Sequence, residues 1–197
     1  LYALCDLLAQ NDVENSYIHA FTDGRDCDPK SGLGYISELE NHLEGSNTKI
    51  ASVIGRYYAM DRDKRWERIK KAHSLLTKGE GSKFSSAVAA VESSYNSNIT
   101  DEFIEPSIIE NGKIEDGDVV ICFNFRTDRM RQLTAAFCDR DFPQFRRLIR
   151  LNPANVGTFG QYHDKVHVIY ALSAHKIENT LGEIISREGH SQLRIAE

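Results

Sequence analysis

Two hydrophobic periods alternate along this chain. Short apolar runs, which are typical of buried β-strands, occur at SYIHAF (16–21), KIASVI (49–54), DVVICFNF (118–125) and KVHVIYAL (165–172). Between these runs, apolar residues return every three or four positions, which predicts helices at 1–11, 34–45, 61–79, 84–96, 129–140 and 179–189. The last residues, QLRIAE (192–197), return to a strand-like pattern. Strands and helices therefore alternate through most of the chain.

This alternation predicts an α/β fold, namely a layered α/β/α domain with a largely parallel or mixed central sheet. DVVICFNF is the strongest strand signal, and its unbroken hydrophobicity predicts a strand that is covered on both faces. No repeat or linker-like stretch interrupts the pattern, so the prediction is a single domain over residues 1–197. Because the chain starts in a helix-like segment and stops in a strand-like one, we expect a piece of a longer polypeptide.

The composition is that of an ordinary globular protein, with 41% hydrophobic and 27% charged residues. The net charge of −5 argues against nucleic acid as a partner, and no apolar run approaches the roughly 20 residues of a membrane helix. The four cysteines show no CxxC spacing, which favours a reduced, cytoplasmic protein with structural thiols and without zinc. Any binding of an anion must therefore rest on a local cluster of positive charge.

Three strand-like runs end in turns that carry both arginine and aspartate. The turns are FTDGRD (21–26), GRYYAMDR (55–62) and FNFRTDR (123–129). Ligands bind beyond the carboxyl ends of strands in open parallel sheets, so the arginines of these turns are expected to converge there: Arg25, Arg56, Arg62, Arg126 and Arg129. Because the guanidinium fork matches carboxylate and phosphate geometry, the predicted ligand is a small, multiply charged anion.

The aspartates of the same turns leave other interpretations open. Each turn contains Asp, so the arginines could pair locally and serve only the scaffold. Asp26 could accept a hydrogen bond from a substrate hydroxyl or act as a base, or the Asp-rich turn could simply satisfy its own backbone. GEGSK (79–83) ends like a phosphate-binding loop, but Leu76 occupies the place of its first glycine. The sequence thus contains binding residues without an evident nucleophile.

The sequences around these turns, HAFTDGRDCDPKSG, ASVIGRYYAMDRDKRWERIKKAH and CFNFRTDRMRQLT, closely resemble the cofactor-independent (2,3-bisphosphoglycerate-independent) phosphoglycerate mutases. DEFIEPSII, EDGDVVICFNFR and the closing TLGEIIS and GHSQLRIAE extend the resemblance over essentially the whole chain. It implies an isomerase of glycolysis and gluconeogenesis that interconverts 3-phosphoglycerate and 2-phosphoglycerate through a phosphoserine. In this family a phosphatase-like domain, of the alkaline phosphatase superfamily, carries that serine and two metal ions, usually Mn²⁺.

The chain resembles only the inserted transferase domain of these mutases, which binds the glycerate part of the substrate. The resemblance implies that Asp26 acts on the glycerate hydroxyls and that five arginines hold the carboxylate and phosphate: Arg25, Arg56, Arg62, Arg126 and Arg129. It also implies a covalently linked phosphatase-like domain, a monomer, and no metal or other cofactor in this chain itself.

Several parts of the family's machinery have no counterpart in the sequence. The phosphoserine, the metal ligands, a substrate-contacting histidine just upstream and a lysine just downstream are absent. In addition, Thr127 stands where proline is common in the FRTDR turn. The chain alone is therefore expected to be inactive as a mutase. The rival hypothesis is a non-catalytic binding module for small phosphorylated acids.

Overall fold

The computed structural model describes residues 1–162, 168–172, 178–193 and 195. Its helices are α1 (Tyr2–Gln10), α2 (Gly32–His42), α3 (Arg56–Ala59), α4 (Trp66–Lys78), α5 (Ala87–Asn96), α6 (Arg131–Cys138) and α7 (Leu181–Arg187). Its strands are β1 (Ser16–Thr22), β2 (Thr48–Gly55), β3 (Ser82–Lys83), β4 (Ser107–Ile108), β5 (Val120–Cys122), β6 (Val156–Gly160) and β7 (Ile169–Leu172). The predicted α/β class, with parallel and mixed sheets, is confirmed.

The first sheet has the strand order β1-β2-β4-β3. β1 and β2 are parallel, with Ser16 beside Thr48 at one end and Thr22 beside Gly55 at the other. β4 runs antiparallel to β2 and parallel to β3, so this sheet is mixed. Within β2 every residue except Lys49 is buried, which is the pattern of a strand covered on both faces.

Helices cover the two faces of the first sheet. Val53 belongs to a core cluster that includes residues of α2 and α5, whereas its neighbour Ile54 packs with Leu75 of α4. Because successive side chains of a strand point to opposite faces, these two clusters lie on opposite sides of β2. On α4 itself, the side chains of Ile69, Leu75 and Leu76 are all buried.

The second sheet is parallel throughout and has the order β5-β6-β7. β5 forms only the middle of the predicted strand 118–125, and Val119 and Phe125 are 74% and 76% exposed. Cys122 points into a core cluster, while Ile121 on the other face is about half exposed. The prediction that this run is covered on both faces is therefore wrong for this chain. Among the described residues, β6 is the one strand that pairs with β5. The face of β5 that carries Ile121 is open to solvent.

The predicted helices are present, with shifted ends. α1 buries Cys5, whereas Leu1 and Leu7 of its predicted apolar face are exposed. The predicted helix 179–189 starts at Asn179, whereas α7 begins after Thr180, which forms a capping box with Glu183. The predicted and observed helices thus differ only at their ends.

Two predicted strands lie partly outside the described residues. The run 165–172 is described only from residue 168 onward, where it forms β7, and the run 192–197 is described only at 192, 193 and 195. β6 was not predicted, since its five residues include two glycines, which weaken a strand signal. Within the described part of the chain, no helix is long and apolar enough to cross a membrane.

Candidate functional site

The three arginine-bearing turns lie together. β1 and β2 are parallel neighbours, so the turns that follow Thr22 and Gly55 leave the first sheet on the same side. The third turn follows β5 of the second sheet, and its residue Arg126 reaches the first turn. The Nη1 atom of Arg126 lies 3.6 Å from Oδ2 of Asp26. The turns therefore converge across two sheets rather than along one.

Two contacts join the second turn to the third. Arg62 Nη1 donates a hydrogen bond to Asp128 Oδ2 over 2.8 Å. Arg129 Nη1 donates to the carbonyl oxygen of Met60 over 3.2 Å. These arginines bind partners from another turn, so pairing within each turn does not account for them.

Asp26 lies at the centre of the cluster. Its Oδ2 atom accepts a hydrogen bond from Arg56 Nη1 over 3.0 Å and also faces Arg126. Arg56 is only 5% exposed and donates to Asp23 as well. The side chain of Asp26 is 57% exposed, so a ligand can reach it. Asp26 is thus a carboxylate shared between a buried arginine and an exposed one.

The first turn also satisfies part of its own backbone. Asp23 Oδ1 accepts the backbone N–H groups of Arg25 and Asp26 over 3.2 and 3.3 Å. Asp28 Oδ1 accepts the N–H of Lys30 over 2.9 Å. The interpretation of an Asp-rich turn that stabilises itself therefore holds for Asp23 and Asp28, whereas the carboxylate of Asp26 faces two guanidinium groups.

Charge pairing shifts the pKa values of these groups. Partial burial raises the pKa of Asp23, but hydrogen bonds from Arg56 and from two backbone N–H groups outweigh it and hold the pKa below its ordinary value. Burial likewise raises the pKa of Asp128, and the bond from Arg62 contributes most to the net lowering. Burial, followed by repulsion from Arg56 and Arg62, lowers the pKa of Arg129. An anion that entered the cluster would relieve this repulsion.

Three of the five arginines are open to solvent. The side chains of Arg25, Arg62 and Arg126 are 61%, 53% and 69% exposed. Arg25 lies 3.7 Å from a carboxylate oxygen of Glu102, the fourth acidic partner in the cluster. Exposed ion pairs are worth little, typically less than about 1 kcal/mol, so these guanidinium groups can exchange their present partners for the anionic groups of a ligand.

The segment after α5 positions the first two turns. The backbone carbonyl of Asp101 accepts a hydrogen bond from the Thr22 hydroxyl over 2.7 Å. A Cβ atom at Gly24 would lie 2.7 Å from that of Asp101, and one at Gly55 would lie 2.3 Å from the carbonyl oxygen of Glu102. The glycines of TDGRD and GRYY are thus required by a long-range close approach, which hydrophobic periodicity does not report.

Asp61 anchors the second turn and connects it to the third. Its buried carboxylate accepts the N–H groups of Asp63 and Arg65 over 3.0 and 2.9 Å. Burial raises the pKa of Asp61, but these bonds and one from Gln132 outweigh it, so the pKa lies below its ordinary value. Gln132 Nε2 also donates to the Asp61 carbonyl over 2.5 Å. Gln132 belongs to α6, which follows the third turn, and no sequence signal had marked it.

The donor set of the cluster suits an anion rather than a metal ion. Each carboxylate here faces at least one guanidinium group, which competes with a cation. Over the described ranges, no group of three or more His, Cys, Asp and Glu side chains is arranged to hold a metal ion.

A family model described as "BPG-independent PGAM N-terminus (iPGM_N)" matches residues 1–164. The chain belongs to this family. The family predicted from the arginine-bearing motifs is therefore confirmed, and the match spans all three turns. The six residues that the resemblance singled out lie in one cluster of this iPGM_N chain: Arg25, Asp26, Arg56, Arg62, Arg126 and Arg129.

Relatives of this iPGM_N chain are named 2,3-bisphosphoglycerate-independent phosphoglycerate mutases. Those of Bacteroides thetaiotaomicron and Moorella thermoacetica are 46% and 45% identical over 201 and 203 residues. Each alignment covers 100% of this chain and 40% of the relative, so the chain spans about two fifths of the length of these mutases.

A solved structure, of Leishmania mexicana phosphoglycerate mutase at low cobalt concentration, has the same fold over most of this chain. The TM-score is 0.82 at 28% sequence identity, and the match covers 95% of this chain and 37% of the mutase chain. The iPGM_N fold described above therefore forms one part of a larger mutase in that protein.

Proposed function

We propose that this chain is the substrate-binding, transferase domain of a phosphoglycerate mutase that interconverts 3-phosphoglycerate and 2-phosphoglycerate. The observation that carries the proposal is the convergence of arginines from three turns around Asp26, in a chain of the BPG-independent family. A phosphoglycerate presents a carboxylate and a phosphate, the two groups that the guanidinium fork binds best. In this proposal, residues 1–197 are one domain, inserted in a second, phosphatase-like domain of the parent polypeptide.

The arginines have different tasks in this proposal. Arg25, Arg62 and Arg126 are exposed, and they take hold of the anionic groups of the substrate by releasing their present carboxylate partners. Arg56 is buried and remains a fixed charge beneath Asp26. Arg129 is repelled by neighbouring arginines and gains most when an anion enters.

Asp26 is the group that meets the hydroxyls of glycerate. Its carboxylate is exposed and faces two guanidinium groups, so it can accept a hydrogen bond from one hydroxyl and take up its proton. The arginines meanwhile hold the glycerate while it turns to present its other hydroxyl. Holding the intermediate in place makes the return of the phosphoryl group effectively unimolecular, which is worth several kcal/mol of the barrier.

The chemistry of phosphoryl transfer belongs, in this proposal, to the linked phosphatase-like domain. That domain supplies the serine nucleophile, together with two Mn²⁺ or similar ions that stabilise the charge of the transferred group. The proposal also implies a cytoplasmic, monomeric enzyme of glycolysis and gluconeogenesis.

A titration with 3-phosphoglycerate, followed by NMR on the isotope-labelled chain, tests the binding role. We expect saturable shifts confined to residues 22–28, 55–62 and 124–129, with a dissociation constant near 1 mM, about −4 kcal/mol, because half of the contacts are missing. The shifts should weaken with salt and disappear in Arg126→Ala. Shifts that persist in this variant would contradict the proposed site.

A mutase assay separates the enzyme from the rival binding module. The pure chain with Mn²⁺ should not interconvert the two phosphoglycerates, whereas the full-length parent protein should, and Arg126→Ala should slow it. Turnover by the chain alone would refute the division of labour. A parent protein that binds phosphoglycerate without turnover would establish the binding module instead.

A further inference from the structure

A second pocket lies at the far end of α4 from the arginine cluster. α4 begins at Trp66, just after the second turn, and its 13 residues span about 20 Å at 1.5 Å per residue. Where it ends, a pocket of about 380 Å³ opens between the middle of β1 and β2, the turn from α4 to β3, and the segment after β4. This volume lies in the range of small-molecule sites, and the pocket shares no residue with the arginine cluster.

The floor of the pocket is polar and uncharged. His19 Nδ1 and Ser52 Oγ lie 2.8 Å apart in a hydrogen bond between β1 and β2. Burial lowers the pKa of His19 to about 4, which a hydrogen bond with the Gly112 backbone opposes only in part. The imidazole is therefore neutral at neutral pH, and the floor adds no competing charge to the pocket.

Three lysines stand around this floor: Lys78 at the end of α4, Lys83 on β3 and Lys113 after β4. A Cβ atom at Gly79 would lie 3.5 Å from Cγ and Cδ of Lys113, so the stem of Lys113 passes over the end of α4. Among the described residues, Lys83 forms no ion pair. Lys78 and Lys113 lie 3.3 and 3.8 Å from carboxylates that are 60% and 71% exposed, and such pairs are weak.

Four groups oppose an anion in this pocket. Two of them are the exposed carboxylates of Glu80 and Glu115, which pair with Lys78 and Lys113. Glu110 also lines it, with one negative charge. The carbonyl end of α4 adds about half a negative charge through the helix dipole. Because the pairs with Glu80 and Glu115 are exposed and weak, these carboxylates can turn to solvent when an anion enters, which leaves three ammonium groups against Glu110 and the helix end.

We propose that this pocket is a second anion site, which binds a small phosphorylated molecule. Lysine is a compact point charge that binds phosphate from several directions, whereas planar carboxylates are held best by the fork of arginine. The neutral pair of His19 and Ser52 places no negative charge beneath the anion. In this proposal, the segment GEGSK (79–83) contributes to the phosphate site through Lys83. It does not wrap around the phosphate as a phosphate-binding loop does. The inference does not rest on the function proposed for the arginines.

A titration of the isotope-labelled chain with inorganic pyrophosphate tests the site. We expect saturable shifts at Gly79, Gly112 and the His19 ring, and we expect them to remain in Arg126→Ala. The double variant Lys83→Gln/Lys113→Gln should weaken this binding about tenfold or more, because each ammonium contributes a charge-assisted hydrogen bond. Lys70→Gln, which removes an exposed lysine of α4 outside the pocket, should leave it unchanged.

The controls decide between a site and general charge attraction. Both lysines of the double variant are exposed, so its melting temperature should match that of the original chain, and the single variant Lys83→Gln is the fallback if it does not. Citrate should bind at least tenfold more weakly than pyrophosphate, and equal binding would overturn the assignment to phosphate. Absence of saturable shifts at the pocket, or equal losses in Lys70→Gln and in the double variant, would overturn the site itself.

Discussion

The two sheets of this chain contribute to the same cluster of arginines, but they are buried to different extents. In the first sheet, β2 is buried at every position except one, and Val53 and Ile54 are fully buried. In the second sheet, all four residues of β7 are exposed, and Phe125 beyond β5 is 76% exposed. The first sheet is the centre of a layered core, whereas the second is covered on one face.

The difference shows how firmly each part of the site is held. Arg56 follows the buried β2 and is itself buried between Asp23 and Asp26. Arg126 follows the poorly covered β5 and reaches the cluster through one exposed ion pair at 3.6 Å. Regions with few buried apolar contacts open at lower free energy. Arg56 of the first sheet is therefore held in place by buried contacts, whereas Arg126 of the second sheet is held by an exposed charge contact.

The largest expected effect is the difference in unfolding free energy between a variant of the first sheet and a variant of the second. Ile54→Ala should lower the free energy of unfolding by about 3 to 4 kcal/mol, because it leaves a cavity in a fully buried position of β2. Ile121→Ala, in the middle of β5, should cost less than about 1 kcal/mol, since the side chain is 49% exposed. Urea denaturation of both variants measures the difference. Equal losses would show that the second sheet is buried as firmly as the first.

The covered side of the second sheet should make stability depend on pH. His73 packs against Phe137, which belongs to the same core cluster as Cys122 of β5. Burial, with repulsion from Arg147 and Lys78, lowers the pKa of His73 to about 4. The unfolded chain, with a pKa of about 6.5, takes up the proton first. Stability should therefore be full above about pH 6.5 and fall by about 3 kcal/mol on the way to pH 4.

Thermal melts between pH 7 and 4 check this dependence. His73→Phe, which keeps a ring against Phe137, should remove most of the loss that His73 causes. His19, whose pKa burial also lowers to about 4, accounts for further loss in the same window. Identical pH profiles for the original chain and for the variant would contradict the assignment to His73.

Replacing the buried Arg56 should destabilise the protein more than replacing the exposed Arg126. Arg56→Ala should cost about 2 kcal/mol, because it empties a buried position and leaves Asp23 and Asp26 without their main partner. Arg126→Ala should cost less than about 0.5 kcal/mol, since its side chain is 69% exposed. Comparing the two variants by denaturation, with circular dichroism to confirm folding, tests whether Arg56 is held more firmly than Arg126. A large loss for Arg126→Ala would assign it a structural role.

The smallest expected effect comes from removing the ion pair of Arg62 and Asp128, which links the second and third turns. Arg62 and Asp128 are 53% and 40% exposed, so Asp128→Asn should lower stability by about 0.3 kcal/mol. Their interaction is screened by salt, and the difference from the original chain should vanish at about 1 M NaCl. A difference that survives in high salt would indicate a partner other than the exposed ion pair.

The comparison also shows which parts of the molecule its sequence could predict. The arginine turns were predictable, because apolar runs followed by TDGRD, GRYYAMDR and FRTDR mark strand ends that carry charge. The contacts that fix these turns were not predictable, because they join residues that are far apart in the sequence. Asp101 contacts Gly24 across 77 positions, and Gln132 contacts Asp61 across 71 positions. Local patterns carry no information on such pairs.

The exposed faces of β5 were misjudged for a related reason. Hydrophobicity in DVVICFNF reports a tendency to be buried, but burial also needs neighbouring elements, and these are not encoded in the run itself. β2 has the same kind of pattern and is buried on both sides, because α2, α5 and α4 cover it. Two similar runs thus differ only in their surroundings.

The shared carboxylate of Asp26 has one further consequence. In the ligand-free molecule it occupies the guanidinium groups that an incoming anion would need, so it acts as a built-in competitor. Any ligand must displace it, and its measured affinity is reduced by the fraction of molecules in which Asp26 holds the arginines. Asp26→Asn should therefore bind 3-phosphoglycerate more tightly than the original chain while slowing turnover in the parent enzyme. Under the proposed function, Asp26 both assists the reaction and keeps the site from being filled by chance.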